Sequence, residues 1–212
     1  MKKGLLQAVL ALTFVAYLTA CSSIITVPGG CGSGHRKSTC LGEMTIPGGQ
    51  VDTFNQASQQ AIDAIYSEDL IQDLRAFIET HVQNGSHVKA WIDIEASSAV
   101  TMLRGEIDGT QIATYGGVWG WITHLFAGNI AKDGVTNGPI LFNRWGLPRT
   151  SESIAGTIAH EISHRSRMKH PHSKRSLDVA QCEPPYVIGS LVEKTIVGKS
   201  WKPSKNDCYL FE

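Results

Sequence analysis

The sequence predicts a single α+β domain over residues 51–212, with amphipathic helices around a small mixed sheet, and three observations predict it. Apolar residues recur at helical spacing through 53–78. Strict alternation over 88–96 and a short apolar run over 138–147 have the period or length of strands. A second helical pattern over 150–165 follows directly on that run and carries clustered histidines. Helices and strands in this order read as α+β.

The first twenty residues stand apart from this domain. Lys2 and Lys3 precede an almost wholly apolar run, Leu5 to Leu18, and the stretch closes "LTAC" at Cys21. This resembles a bacterial lipoprotein signal peptide, which implies cleavage before Cys21 and a lipid anchor on that cysteine. With Ser22 rather than aspartate next, the resemblance implies the outer membrane, facing the periplasm, in a Gram-negative cell. An ordinary secretory signal or a short membrane anchor is the plainer alternative, although the run is too short to span comfortably. Residues 21–50 are rich in glycine and lack periodicity, so they read as a tether to the membrane.

From Thr53, Phe54, Ala57, Ala61, Ile62 and Ile65 share one helical face, and Leu70, Ile71, Leu74, Phe77 and Ile78 continue it. Ser67 before Glu68 and Asp69 is the expected cap between two helices. In 88–96, Val88, Ala90, Ile92, Ile94 and Ala96 point one way, and Lys89, Trp91, Asp93 and Glu95 the other, as in a half-buried strand. Two short strands are expected around Asp108-Gly109, and one more at 138–147, ended by Pro148. "PPYVIGSLVEKTIVG" begins with prolines suited to a first helical turn and reads as the final helix.

Charge and cysteines narrow the function classes. Without Lys2 and Lys3 the chain has 17 basic against 19 acidic side chains, so no basic field exists to attract nucleic acid. Besides Cys21 there are Cys31, Cys40, Cys182 and Cys208, an even number that reads as two disulfides in an exported chain. The local pairing, Cys31 with Cys40 and Cys182 with Cys208, is preferred among three connectivities. The absence of CxxC argues against a cysteine zinc site.

The chemistry concentrates in "RTSESIAGTIAHEISHRSRMKHPH", 149–172. Thr150 or Ser151 can cap the helix, and Glu152 suits its positive end. Ile154, Ala155, Ile158, Ala159 and Ile162 form a complete apolar face. His160 and His164, one turn apart, project almost opposite to it, as two ligands of one metal must. A histidine satisfied in the core is the usual alternative, but this core face is full without them. Glu161 lies between the two faces, where its carboxylate can reach water at the metal.

"HEISHRSRMKH", 160–170, is similar to the metzincin signature HExxHxxGxxH. The resemblance implies a zincin-like, metzincin-type fold with an active-site helix, Zn2+ held by His160, His164 and His170, and Glu161 as general base acting on a peptide or protein. Arg167 replaces the glycine at which the family's chain leaves the helix. Pro171 makes helical geometry at His170 unfavourable, so the chain must turn near 167–170 in any case. No methionine follows Met168 to build the family's supporting turn, and "CEPPYVIG", 182–189, is the best substitute. Tyr186 within it either assists the reacting intermediate or simply packs at the start of the last helix. Behind His170, the candidates for third ligand are His172, then Asp178, Glu183 or Glu193; His35, His81, His87 and His124 read as ordinary.

The expected protein is a lipid-anchored zinc metallopeptidase of the cell envelope. The strand around Ile140 to Arg144 is expected to pair with extended substrate along its edge. A zinc-binding or scaffolding lipoprotein without turnover is the alternative.

Overall fold

The computed structural model describes residues 24–27, 40–41, 44–47, 50–82, 91, 93–108, 110–127, 131–133, 139–147, 149–170 and 182–198. The signal sequence, Cys21, Cys31, His172, Asp178 and Cys208 lie outside them. Among the described residues six α-helices dominate: α1 Val51–Tyr66, α2 Glu68–Phe77, α3 Ala96–Ile107, α4 Gly117–Ala127, α5 Ser151–Arg165 and α6 Pro184–Val197. The strands are β1 Ile24–Val27, β2 Cys40–Leu41, β3 Met44–Pro47, β4 Gln111–Tyr115, β5 Ala131–Asp133 and β6 Ile140–Asn143. The arrangement is a mostly helical α+β fold. No helix among the described residues is long and apolar enough to cross a membrane.

The glycine-rich stretch expected as a tether carries three of these strands. β1 and β3 pair antiparallel, Ile24 opposite Pro47 and Val27 opposite Met44. A second, mixed sheet runs in the order β2-β4-β6-β5, with the first three strands parallel and β5 antiparallel to β6.

The helix signals translate directly into structure. Ser67 leaves the helical region and its hydroxyl accepts the Leu70 amide at 3.3 Å, so α2 starts one residue after α1 ends. Arg104 of α3 satisfies the last carbonyls of α1, donating to Ile65 at 3.0 Å and Tyr66 at 3.2 Å. Helix α5 packs on α1 and α6 and touches α3 and β5. Its expected apolar face, Ile154, Ala155, Ile158, Ala159 and Ile162, is fully buried. Phe54 of α1 meets Phe142 of β6 edge-on at 5.2 Å, tying helices to sheet. Each such buried large side chain contributes about 1.5–3 kcal/mol, so the helix with the histidines is held by its back.

The strand over 88–96 does not hold for its second half: Asp93 sits in a turn with φ 65°, and α3 begins at Ala96. Trp91, assigned to solvent by the alternation, is 2% exposed, lies 5.1 Å from the Phe77 ring, and donates from its indole to the Cys182 carbonyl at 2.9 Å. Residues 98–107 are helix rather than strand. Glu95 caps it, its two carboxylate oxygens accepting the Ser97 and Ser98 amides and hydroxyls, and the hydroxyl bonds first, with the amides behind them, hold its pKa down to about 2. Ala99, Val100, Leu103 and Ile107 fill the inner face; only the strand after Asp108 forms as expected.

Substrate cannot pair along the strand around Ile140 to Arg144 as expected. β6 lies between β4 and β5, so Ile140–Asn143 has both edges occupied. The outer strand on this side, among the described residues, is β5, which packs against α5.

Candidate metal centre

The helix start is as the sequence implies: Thr150 accepts the Ser153 amide at 3.4 Å, and Glu152 in the first turn has its pKa lowered by hydrogen bonds there. Fifteen residues later the chain must reverse to bring His170 back. Met168 donates its amide to the Ser163 carbonyl at 3.0 Å and Arg167 donates to His164 at 3.1 Å. Arg167 adopts φ 66°, and Met168 is buried. These two bonds, a left-handed residue and a buried apolar one after it form a Schellman termination. Arg167 thus takes the left-handed conformation that glycine would take, at a cost of about 1–2 kcal/mol.

Because Arg167 is exposed, Arg167→Gly removes strain and little else. Relief of about 1–2 kcal/mol is partly offset by about 0.4–1 kcal/mol of added freedom in the unfolded chain. Urea unfolding is therefore expected to show a gain of up to about 1 kcal/mol, with metal affinity unchanged. A clear loss of stability would contradict the left-handed exit.

This turn closes a histidine cluster. One ligand atom from each of His160, His164 and His170 lies within 4.8 Å of the other two. The Nε2 atoms of His160 and His170 are 3.2 Å apart. A tetrahedral ion with metal–nitrogen bonds of about 2.0–2.1 Å separates its ligands by about 3.3 Å, so this spacing fits a metal.

Each ring is fixed through its other nitrogen. His164 Nδ1 donates to the Met168 carbonyl at 3.0 Å. His170 Nδ1 meets the Glu183 carboxylate at 2.9 Å. His160 donates to the Pro185 carbonyl, and with Nε2 facing His170 the donor is Nδ1. Carbonyls only accept, so the proton of His160 and of His164 sits on Nδ1 and leaves an Nε2 lone pair. The carboxylate sets the same tautomer in His170. Two lone pairs then face each other at 3.2 Å, a repulsion that a shared cation relieves. A proton is disfavoured in that place: burial, then the neighbouring His164 and His170, push the His160 pKa down to about 3. A metal ion satisfies all three nitrogens, and imidazoles held by outer acceptors are the usual design of such sites. The donor set suits zinc, copper, iron or nickel.

Most of this outer support comes from the start of α6. Pro184 and Pro185 occupy its first turn as expected. Tyr186 follows, its ring 4.6 Å from His160 and 4.8 Å from His170, so it both packs and borders the cluster. Burial, Glu183 and Glu161 raise its pKa, which keeps the hydroxyl protonated at neutral pH. Glu161 itself is 7% exposed and near enough to Tyr186 to act on its ionisation. Of the other candidate ligands, Glu183 stands behind His170, and Glu193 sits with Arg149 at the α5–α6 contact. His124 is not part of the cluster; the side chains of His35, His81 and His87 lie outside the described ones. Cys182, one residue before Glu183, is disulfide-bonded; its expected pairing with Cys208, like that of Cys31 with Cys40, falls outside the described residues.

Sequence reasoning missed what brings α6 this close. Gly156 of α5 and Gly189 of α6 face each other: a Cβ on Gly189 would stand 2.7 Å from the Gly156 carbonyl oxygen and 3.3 Å from His160 Cβ. Two glycines inside helices, each unfavourable by about 0.5–1 kcal/mol, were the available signal. No protein-family model matches the chain, and no curated protein or solved structure matches it either.

Proposed function

We propose that the protein is a zinc metallopeptidase with a zincin-like fold, anchored by a lipid on Cys21 in the bacterial cell envelope. The observation that carries the metal reading is the pair of Nε2 lone pairs facing each other at 3.2 Å while outer acceptors hold the Nδ1 protons. Zinc is the ion proposed because three histidines with an adjacent glutamate are a zinc-hydrolase donor set that leaves a fourth position open. Bound there, it would supply Lewis acidity, acidifying water and polarising a carbonyl.

The chain's own groups take the remaining roles. Glu161 accepts the proton of the attacking water and passes it to the leaving amine. The Tyr186 hydroxyl, kept protonated, donates to the oxygen on which charge develops. A substrate peptide adds as a strand to the outer edge of β5, which lies against α5. The envelope location rests on the lipoprotein-like signal, and the Cys182 disulfide accords with an oxidising compartment.

Glu161→Gln tests the peptidase reading. Loss of a general base is expected to lower peptide hydrolysis by roughly 10²–10⁴-fold while one zinc per chain remains. An unchanged rate would remove Glu161 from the mechanism. Stoichiometric zinc with no hydrolysis of any peptide by wild type would favour the alternative, a zinc-binding envelope lipoprotein without turnover.

A further inference from the structure

We propose that Glu183 is the positioning residue that makes His170 a ligand; this rests on the metal reading above. His160 and His164 are placed by helix α5, one turn apart, and need little else to converge. His170 lies beyond the helix end, after a strained left-handed residue and directly before Pro171, so its backbone alone does not aim the imidazole. The Glu183 carboxylate does. It is 1% exposed, it meets Nδ1 at 2.9 Å, and it thereby turns Nε2 toward His160.

The position of Glu183 is itself well fixed. It occupies the residue before α6 but makes no side-chain bond to that helix's amides, so its carboxylate is directed at His170 instead of the cap. On one side Cys182 is held by its disulfide and by the Trp91 indole on its carbonyl. On the other, Pro184 and Pro185 are buried in the first turn of α6. A buried carboxylate in so rigid a setting, engaged with the one ligand that the helix cannot orient, points to a positioning role. An anionic acceptor also makes the imidazole a stronger donor toward the ion.

The test is a cycle of Glu183→Ala and Glu183→Gln, each in wild type and in His170→Ala, with zinc affinity read by chelator competition and coordination by the visible spectrum of the cobalt-loaded protein. Glu183→Ala is expected to weaken zinc roughly 10–100-fold and to alter the cobalt spectrum. Glu183→Gln keeps an acceptor oxygen in place and should recover most of the loss. In the His170→Ala background, Glu183→Ala should have almost no further effect, because the ligand it positions is gone. Equal losses in both backgrounds, or unchanged affinity in a zinc-binding protein, would overturn the assignment and leave Glu183 a structural residue. If Glu183→Ala does not fold, Glu183→Leu, which keeps the bulk but removes the acceptor, decides: weakened zinc and an altered cobalt spectrum, with no further change in the His170→Ala background, support the role, and unchanged affinity with an identical spectrum overturns it. Wild type that binds neither ion would overturn the metal reading and this assignment with it.

Discussion

His164→Ala is expected to abolish stoichiometric metal binding while leaving the fold intact. His164 supplies one of three nitrogens, and its Nδ1 bond to the Met168 carbonyl fixes the ring in the metal-binding tautomer. Removing a ligand outright must cost more than removing an outer partner, which typically costs 10–100-fold. With two histidines left, metal should be lost on gel filtration. Stability of the metal-free protein should hold, because His164 projects away from the buried face of α5 and alanine is the better helix former by up to about 0.7 kcal/mol. Metal analysis beside a urea unfolding curve separates the two. One metal per chain retained by His164→Ala would remove that residue from the site.

Gly189→Ala is expected to damage stability and site together, although alanine is ordinarily favoured in a helix. Propensity offers a gain of about 0.8–1.0 kcal/mol. Against it, the new methyl would lie 2.7 Å from the Gly156 carbonyl oxygen, a backbone atom that cannot rotate aside. Overpacking of this kind costs about 1–3 kcal/mol, so the balance falls on the destabilising side. The helices can relieve the contact only by moving apart. That motion draws Glu183, Pro185 and Tyr186 away from His170 and His160, so metal affinity should fall even in molecules that remain folded. Urea unfolding and chelator competition on the same variant check both effects. A variant more stable than wild type, with affinity intact, would show that the glycine pair does not set the helix spacing.

What the sequence made legible was the local part. The apolar face of α5, the Thr150 and Ser67 caps and the paired projection of His160 and His164 all follow from helical period within a few residues. The return of His170 was readable as a spacing and a proline, but the left-handed Arg167 that accomplishes it is a property of the helix end in its tertiary setting. Alternation over 88–96 fits a strand equally well and so hides the burial of Trp91, while the Asp108-Gly109 turn pair suggests strands where the Glu95 cap and apolar residues at helical spacing make α3. The order of strands is a non-local fact, so the central position of β6 could not be anticipated from its own residues. The supports at Pro185 and Glu183 lie 13 to 25 residues from the histidines they hold. They reach them only through the close crossing at Gly156 and Gly189.

Coordination of one metal ion by Nε2 of His160, His164 and His170 is tested most directly by imidazole nitrogen resonances during a zinc titration. Saturation at one zinc per chain is expected, with three Nε2 signals shifting as they become metal-bound while their Nδ1 protons persist. Absence of saturable binding, or saturation that leaves His170 unchanged, would contradict it.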